Sequence, residues 1–121
     1  MAQFILLLHD RDNDMTTMSP DEIQGIIEEY SAWSRQMAEA GRLVGGHKLT
    51  DGDGRDLTGW QDEFSATDSP AAEAKEVIGG LYHIEAADYD EAVELARSCP
   101  HLKFGGRIEL RQVDLLEEPA G

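Results

Sequence analysis

The chain is poor in cysteine and has no long apolar run. Its single cysteine, Cys99, leaves no internal disulfide to be formed. Cys99 stands before Pro100 at the predicted end of a helix, where a small buried thiol is commoner than a nucleophile. The apolar run from Phe4 to Leu8 is only five residues long, which is too short for a signal peptide or a membrane span. We therefore expect a cytoplasmic protein.

Basic residues are also scarce. Lysine and arginine number 10 against 25 aspartates and glutamates, which gives a formal net charge of −15 at pH 7. Such a surface repels phosphate backbones and anionic lipids, so the composition predicts neither a nucleic-acid partner nor a membrane partner. The apolar fraction of 40% predicts a folded globule rather than a disordered chain. The length of 121 residues fits one domain over 1–121.

Apolar periodicity predicts four strands and two helices. The strands are expected at residues 3–9, 43–49, 81–85 and 107–111. The first helix, about 20 residues long, begins at the capping box Ser19-Pro20-Asp21-Glu22 and ends at Gly41. Its apolar stripe comprises Ile23, Ile26, Ile27, Tyr30, Trp33 and Met37. The second helix follows Asp88, ends before Pro100 and has Tyr89, Ala92, Val93 and Ala96 on one face.

The order of these elements predicts a fold class. It runs strand, helix, strand, an irregular insertion, strand, helix, strand, with a short strand or hairpin expected at 57–67. This is the order of a ferredoxin-like split βαβ subunit, an α+β fold with two helices on one face of an antiparallel sheet. Tyr82 and Ile84, together with Ile108 and Leu110, form the natural helix-facing sets of the last two strands.

The first strand is apolar on both faces. Phe4, Leu6 and Leu8 point one way, while Ile5 and Leu7 point the other. Two helices cover only one side of a sheet, so the second side needs its own cover. Either the insertion folds back over it, or a second copy of the chain packs against it. We favour the second solution and predict a homodimer through the sheet face.

Five stretches follow one another in order along nearly the whole chain. They are Phe4–Leu8, Gly41–Gly46, Asp68-Ser69-Pro70 with Glu73–Glu76, Gly79–Ile84, and Cys99-Pro100 followed by Gly105–Arg111. Together they resemble the YCII-related family, specifically its DGPF branch. The resemblance implies a dimeric α+β barrel of ferredoxin-like subunits. It also implies kinship with members credited with small-molecule lyase chemistry through a histidine and an aspartate.

The chain departs from the DGPF branch at its signature. Where the branch has Asp-Gly-Pro-Phe, this chain has Asp68-Ser69-Pro70-Ala71. Ser69 lacks the freedom of glycine at positive φ, and Ala71 removes an aromatic ring that would pack over a pocket. A ligand role for this loop therefore stays open.

The predicted topology gathers polar residues at one end of the sheet. We predict His9, His47 and His83 as catalytic candidates, because histidine titrates near neutral pH and suits acid–base work. The substrate-binding candidates are Asp10, Lys75, Glu85 and His101. Asp10 is adjacent to His9, and successive strand residues face opposite ways. Glu85, or a residue of a second subunit, is therefore as good a partner for His9, and Asp10 suits a turn with Asp12 and Asn13.

Signatures of metal and cofactor sites are weak or absent in the sequence. The stretch Asp51-Gly52-Asp53-Gly54 begins like a calcium loop, but Asp62 occupies the twelfth position, where a calcium loop has glutamate. The histidines lack the close spacing of many zinc sites. There is no phosphate loop, nucleotide fingerprint or serine triad motif. We therefore predict no metal and no cofactor.

Three functional hypotheses remain. The first is a homodimer that binds a small organic molecule in a polar cleft, with lyase or isomerase activity through histidine. The second is a non-catalytic ligand-binding or regulatory module that acts in a stress response. The third is a cofactor-free oxygenase, which the same barrel fold supports.

Overall fold

The structure is a computed structural model that describes residues 1–11, 18–50, 54–68 and 76–116. The elements in chain order are β1 (Ala2–Arg11), α1 (Pro20–Glu39), β2 (Leu43–Lys48), β3 (Arg55–Thr58), β4 (Ser65–Asp68), β5 (Glu76–Ala86), α2 (Tyr89–Arg97), α3 (Pro100–Lys103) and β6 (Arg107–Gln112). The main sheet has the order β2-β5-β1-β6, and all neighbouring strands are antiparallel. This is the predicted ferredoxin-like α+β arrangement, which is thereby confirmed.

Helix α1 forms where the sequence predicts it. Ser19 caps the helix, since its Oγ accepts the Glu22 backbone N–H at 3.1 Å and the Glu22 carboxylate accepts the Ser19 N–H at 3.5 Å. Such a cap contributes about 1 kcal/mol to stability. The helix ends at Glu39, two residues before Gly41, whose φ is 73°. Within the described residues no helix combines the length and apolarity needed to cross a membrane.

The core lies between the helices and one face of the sheet, here called the helix face. Phe4, Leu6 and Leu8 of β1 point into it and are at most 7% exposed. Two aromatic contacts fix the helices on this face: Phe4 meets Tyr89 at 4.9 Å between ring centroids, and Trp33 meets Tyr82 at 5.0 Å. The remaining buried apolar residues are Met37, Ile84, Ala86, Ala92, Ala96 and Cys99.

The predicted helix-facing sets of the last two strands are confirmed by the strand register. Leu6 lies opposite both Tyr82 and Leu110, and Phe4 lies opposite Ile84. Cys99 is 2% exposed, as predicted, and burial raises the pKa of its thiol. A raised pKa lowers the thiolate fraction, so this residue is a poor nucleophile.

Three local predictions differ from the structure. Strand β5 begins at Glu76 rather than at residue 81, since Gly79-Gly80 continues the pairing with β1 through a bulge beside Leu8 and His9. In α2, Val93 is 51% exposed and Leu95 packs on the core instead, so the apolar face is rotated from the predicted one. A short third helix, α3, begins at Pro100, in addition to the two helices that the periodicity predicts.

The opposite side of the sheet, here called the open face, has no helix of the described residues packed on it. Its residues alternate with those of the core along each strand. Those whose side chains the structure describes are Gln3, Ile5, Leu7 and His9 of β1, Gly45 and His47 of β2, Ile78, Leu81, His83 and Glu85 of β5, and Arg107, Glu109 and Arg111 of β6. Ile5, Leu7 and Leu81 are only half-buried in the single chain.

The insertion forms a hairpin, which is one of the two structures predicted for residues 57–67. Strands β3 and β4 pair only with each other in their own two-stranded sheet. Its large apolar side chains are not buried against the open face, since Leu57 is 63%, Trp60 79% and Phe64 56% exposed. Residues 51–53 of the calcium-like stretch and residues 117–121 lie outside the described residues.

Candidate functional site

The candidate site is at the end of the sheet where β1 finishes and β6 begins. His9 lies on the open face, directly opposite Arg107. Its Nε2 lies 3.1 Å from the Glu109 carboxylate, and the two side chains are 13% and 36% exposed. Because a carboxylate only accepts, Nε2–H is the donor and the basic lone pair of the neutral ring is on Nδ1.

Glu109 is a well-defined anion in this pair. The hydrogen bond from His9 lowers the pKa of the Glu109 carboxyl, and a second one from Arg111, at 3.4 Å, lowers it further. The carboxylate therefore fixes the orientation and the tautomer of the His9 ring over the neutral pH range.

Asp10 faces away from His9, as the strand geometry predicts. It lies in β1 rather than in the expected turn, which corrects that prediction. Its carboxylate sits over Gly79, where a Cβ atom would collide with Asp10 Oδ2. The adjacent His9 and Asp10 are therefore not a hydrogen-bonded pair, since they project from opposite faces of the sheet.

His101 packs on the helix face and is hydrogen-bonded to the backbone of His9, whose side chain lies on the open face. It lies in α3, is 3% exposed, and donates from Nε2 to the His9 carbonyl oxygen at 2.9 Å. The Tyr30 hydroxyl is 2.9 Å from Nδ1 and is the donor there, since Nε2 carries the proton of the neutral ring. Asp10 Oδ1 lies 3.8 Å from Nε2. His101 thus ties α1 and α3 to the strand at the residue that carries the candidate base.

Tyr30, which is hydrogen-bonded to His101, should make the stability of the protein depend on pH in the alkaline range. Burial raises the pKa of Tyr30 above its ordinary value, with further contributions from Cys99 and Asp10, and burial also raises the pKa of Tyr82. Above about pH 10 the native state then holds more protons than the unfolded one, so stability falls as pH rises. We expect Tyr30→Phe to remove one late-ionising phenol from the ultraviolet titration and to lessen this alkaline loss. Loss of a phenol that ionises near pH 10, as an exposed tyrosine does, would contradict the burial of Tyr30.

His83, His47 and Glu85 share the open face with His9 but lie away from it. His83 donates from Nε2 to Gln3 Oε1 at 2.7 Å, and His47 lies exposed opposite Leu81 on the edge strand β2. Strand spacing puts His47 about 10 Å to the side of His9, so the histidines do not converge on one point. Glu85 lies opposite Gln3, away from His9. Lys75, Ser69 and Ala71 lie outside the described residues.

Two further features bear on ligand binding. In the part of the chain that the structure describes, no group of three or more histidine, cysteine or acidic side chains could hold a metal ion. A shallow groove of about 470 Å³ runs along the outer side of α1, between Trp33 and Ser98, and holds none of the sequence-predicted candidates. Trp33 Nε1 donates to Ser98 Oγ at 2.9 Å, so the polar atoms at its base are already paired.

Sequence reasoning did not identify two residues of the site around His9 and His101, namely Glu109 and Tyr30. Glu109 is not among the residues that the sequence predicts for the site, and Tyr30 is predicted only as part of the apolar stripe of the first helix. The signal for Glu109 was present: in a split βαβ sheet β6 neighbours β1, so its odd-numbered residues share a face with His9.

The family follows from the extent of the match with known sequences. Residues 2–115 match the profile of the YCII-related domain. The chain belongs to the YCII-related family. An uncharacterized protein of Rhizobium meliloti (strain 1021) is 30% identical over 114 residues, which cover 93% of this chain and 92% of that protein. The family resemblance seen in the sequence is thereby confirmed for this YCII-related protein, and its place in the DGPF branch stays a prediction.

Proposed function

We propose that this YCII-related protein binds a small organic molecule at the His9 end of the open face and moves a proton with His9. The observation that carries the proposal is the 3.1 Å bond between His9 Nε2 and Glu109. A carboxylate that orients an imidazole also stabilises the imidazolium formed when the ring takes up a proton. The reaction class that fits is a lyase- or isomerase-type proton transfer.

A second copy of the chain completes the site in this proposal. The half-buried Ile5, Leu7 and Leu81 form the apolar centre of the open face, and packing against the same surface of a partner removes them from water. The described side chains of the face include two arginines and two glutamates, whose charges cancel in a chain of net charge −15. Balanced charges on this face reduce the repulsion between two acidic subunits that meet there.

The experiment compares three glutamine variants in a screen of small phenolic and enolic compounds. His9→Gln removes the base and is expected to lower turnover by about 100-fold or more. Glu109→Gln leaves the His9 ring without its carboxylate partner and is expected to lower turnover, but by less than His9→Gln does. His47→Gln, on the same face but at the edge strand, serves as the matched control and should retain full activity.

Each other outcome of this screen has a defined meaning. Turnover that survives His9→Gln would refute the assignment of His9. Thermal stabilisation by a compound without turnover would instead assign the non-catalytic ligand-binding function. Oxygen uptake with a quinol-like compound would assign the cofactor-free oxygenase.

A further inference from the structure

The charges of this protein are unevenly distributed between the open face and the rest of the chain. Among the side chains that the structure describes, the open face holds His9, His47 and His83 and two acidic residues, Glu85 and Glu109. With Arg107 and Arg111 on the same face, the fixed charges of these described side chains sum to zero, in a chain whose net charge is −15. This part of the open face therefore repels an anion less than the net charge of the chain would suggest.

One cation stands beside the candidate base. Arg107 and His9 are directly paired across β6 and β1, on the same face, and paired side chains on one face have Cβ atoms about 4.5–5.5 Å apart. The other described arginine of the face, Arg111, donates from Nη1 to Glu109 at 3.4 Å. Glu109 in turn accepts from His9, so both of its oxygens have donors.

We infer that the molecule bound at the His9 end is a small organic acid whose carboxylate is held by Arg107. Resting on the function proposed above, the inference adds the chemical class of the ligand. The guanidinium has five N–H donors in a planar fork, so it binds a carboxylate through two of them while others keep a contact within the protein. The carbon next to that carboxylate then lies within reach of the His9 ring.

The test uses benzoate and its neutral isostere benzamide as probes, with binding followed by NMR on the isotope-labelled protein. Benzoate should shift the resonances of His9 and Arg107 in a saturable way, and benzamide should bind at least 10-fold more weakly. Arg107→Gln should weaken benzoate binding at least 10-fold, which corresponds to about 1.4 kcal/mol. Arg107→Lys keeps the charge but loses the fork, so its affinity for benzoate should lie between those of the wild type and of Arg107→Gln.

The matched control is Arg97→Gln on α2, which makes the same change of charge at a side chain 77% exposed and remote from the sheet face. Benzoate binding that is equal in the Arg107 and Arg97 variants would overturn the inference. Benzamide binding as tightly as benzoate, with shifts at His9, would overturn the organic-acid class while leaving the proposed function standing. If neither probe perturbs His9, the inference and the small-molecule site fail together.

Discussion

Leu7→Glu is expected to convert the protein from a dimer into a monomer. Leu7 occupies the middle of the open face, between Leu81 of β5 and Glu109 of β6. In the proposed dimer, glutamate there would bury a second carboxylate beside Glu109, once in each subunit. An unpaired buried charge costs several kcal/mol, so a dimer dissociation constant about 1,000-fold weaker is the expected scale.

Sedimentation velocity over a concentration series measures this change directly. The matched control is Leu57→Glu, which introduces the same charge on the hairpin, where Leu57 is 63% exposed. The control should remain dimeric. A Leu7→Glu protein that is folded by circular dichroism and dimerises as the wild type does would refute the sheet-face dimer. Dissociation of the Leu57 variant alone would transfer the contact to the hairpin.

Gly106→Ala should destabilise the protein by about 2–4 kcal/mol. A Cβ atom at this position would overlap the ring of His101. The ring must then move and give up its bonds to the His9 carbonyl and to Tyr30, and a buried polar group left without a partner costs about 1–3 kcal/mol. The displaced strand end should also change the NMR signals of the His9 ring.

Urea unfolding of a small set of variants checks this expectation. Gly25→Ala is the control, because a Cβ there meets nothing within 4 Å in the interior of α1. It should stabilise the protein by about 0.5–1 kcal/mol. His101→Ala removes the ring, so adding Gly106→Ala to it should cost little more. Equal losses from Gly106→Ala in both backgrounds would contradict the proposed contact.

The parts of the fold that local chemistry determines were accessible from the sequence. The capping box at Ser19 and Glu22 places the start of α1, and period-two alternation separates the helix face from the open face in β1, β5 and β6. These signals depend on neighbours along the chain, so they survive without knowledge of the tertiary structure.

The candidate site depends on contacts between distant residues, which explains what was missed. His9 and Glu109 are 100 residues apart, and Tyr30 and His101 are 71 apart. No local pattern marks such pairs. The pair Gly79-Gly80 suggested a turn by composition, yet its missing side chains serve to admit the Asp10 carboxylate and the backbone of β2 within a continuous strand.

The most direct test of the account is a crystal structure of the protein soaked with a mixture of small organic acids, phenols and enols. The account predicts two copies packed open face to open face, with density for one compound against His9 and Arg107. Density confined to the groove beside Trp33, or an open face left to solvent, would contradict it.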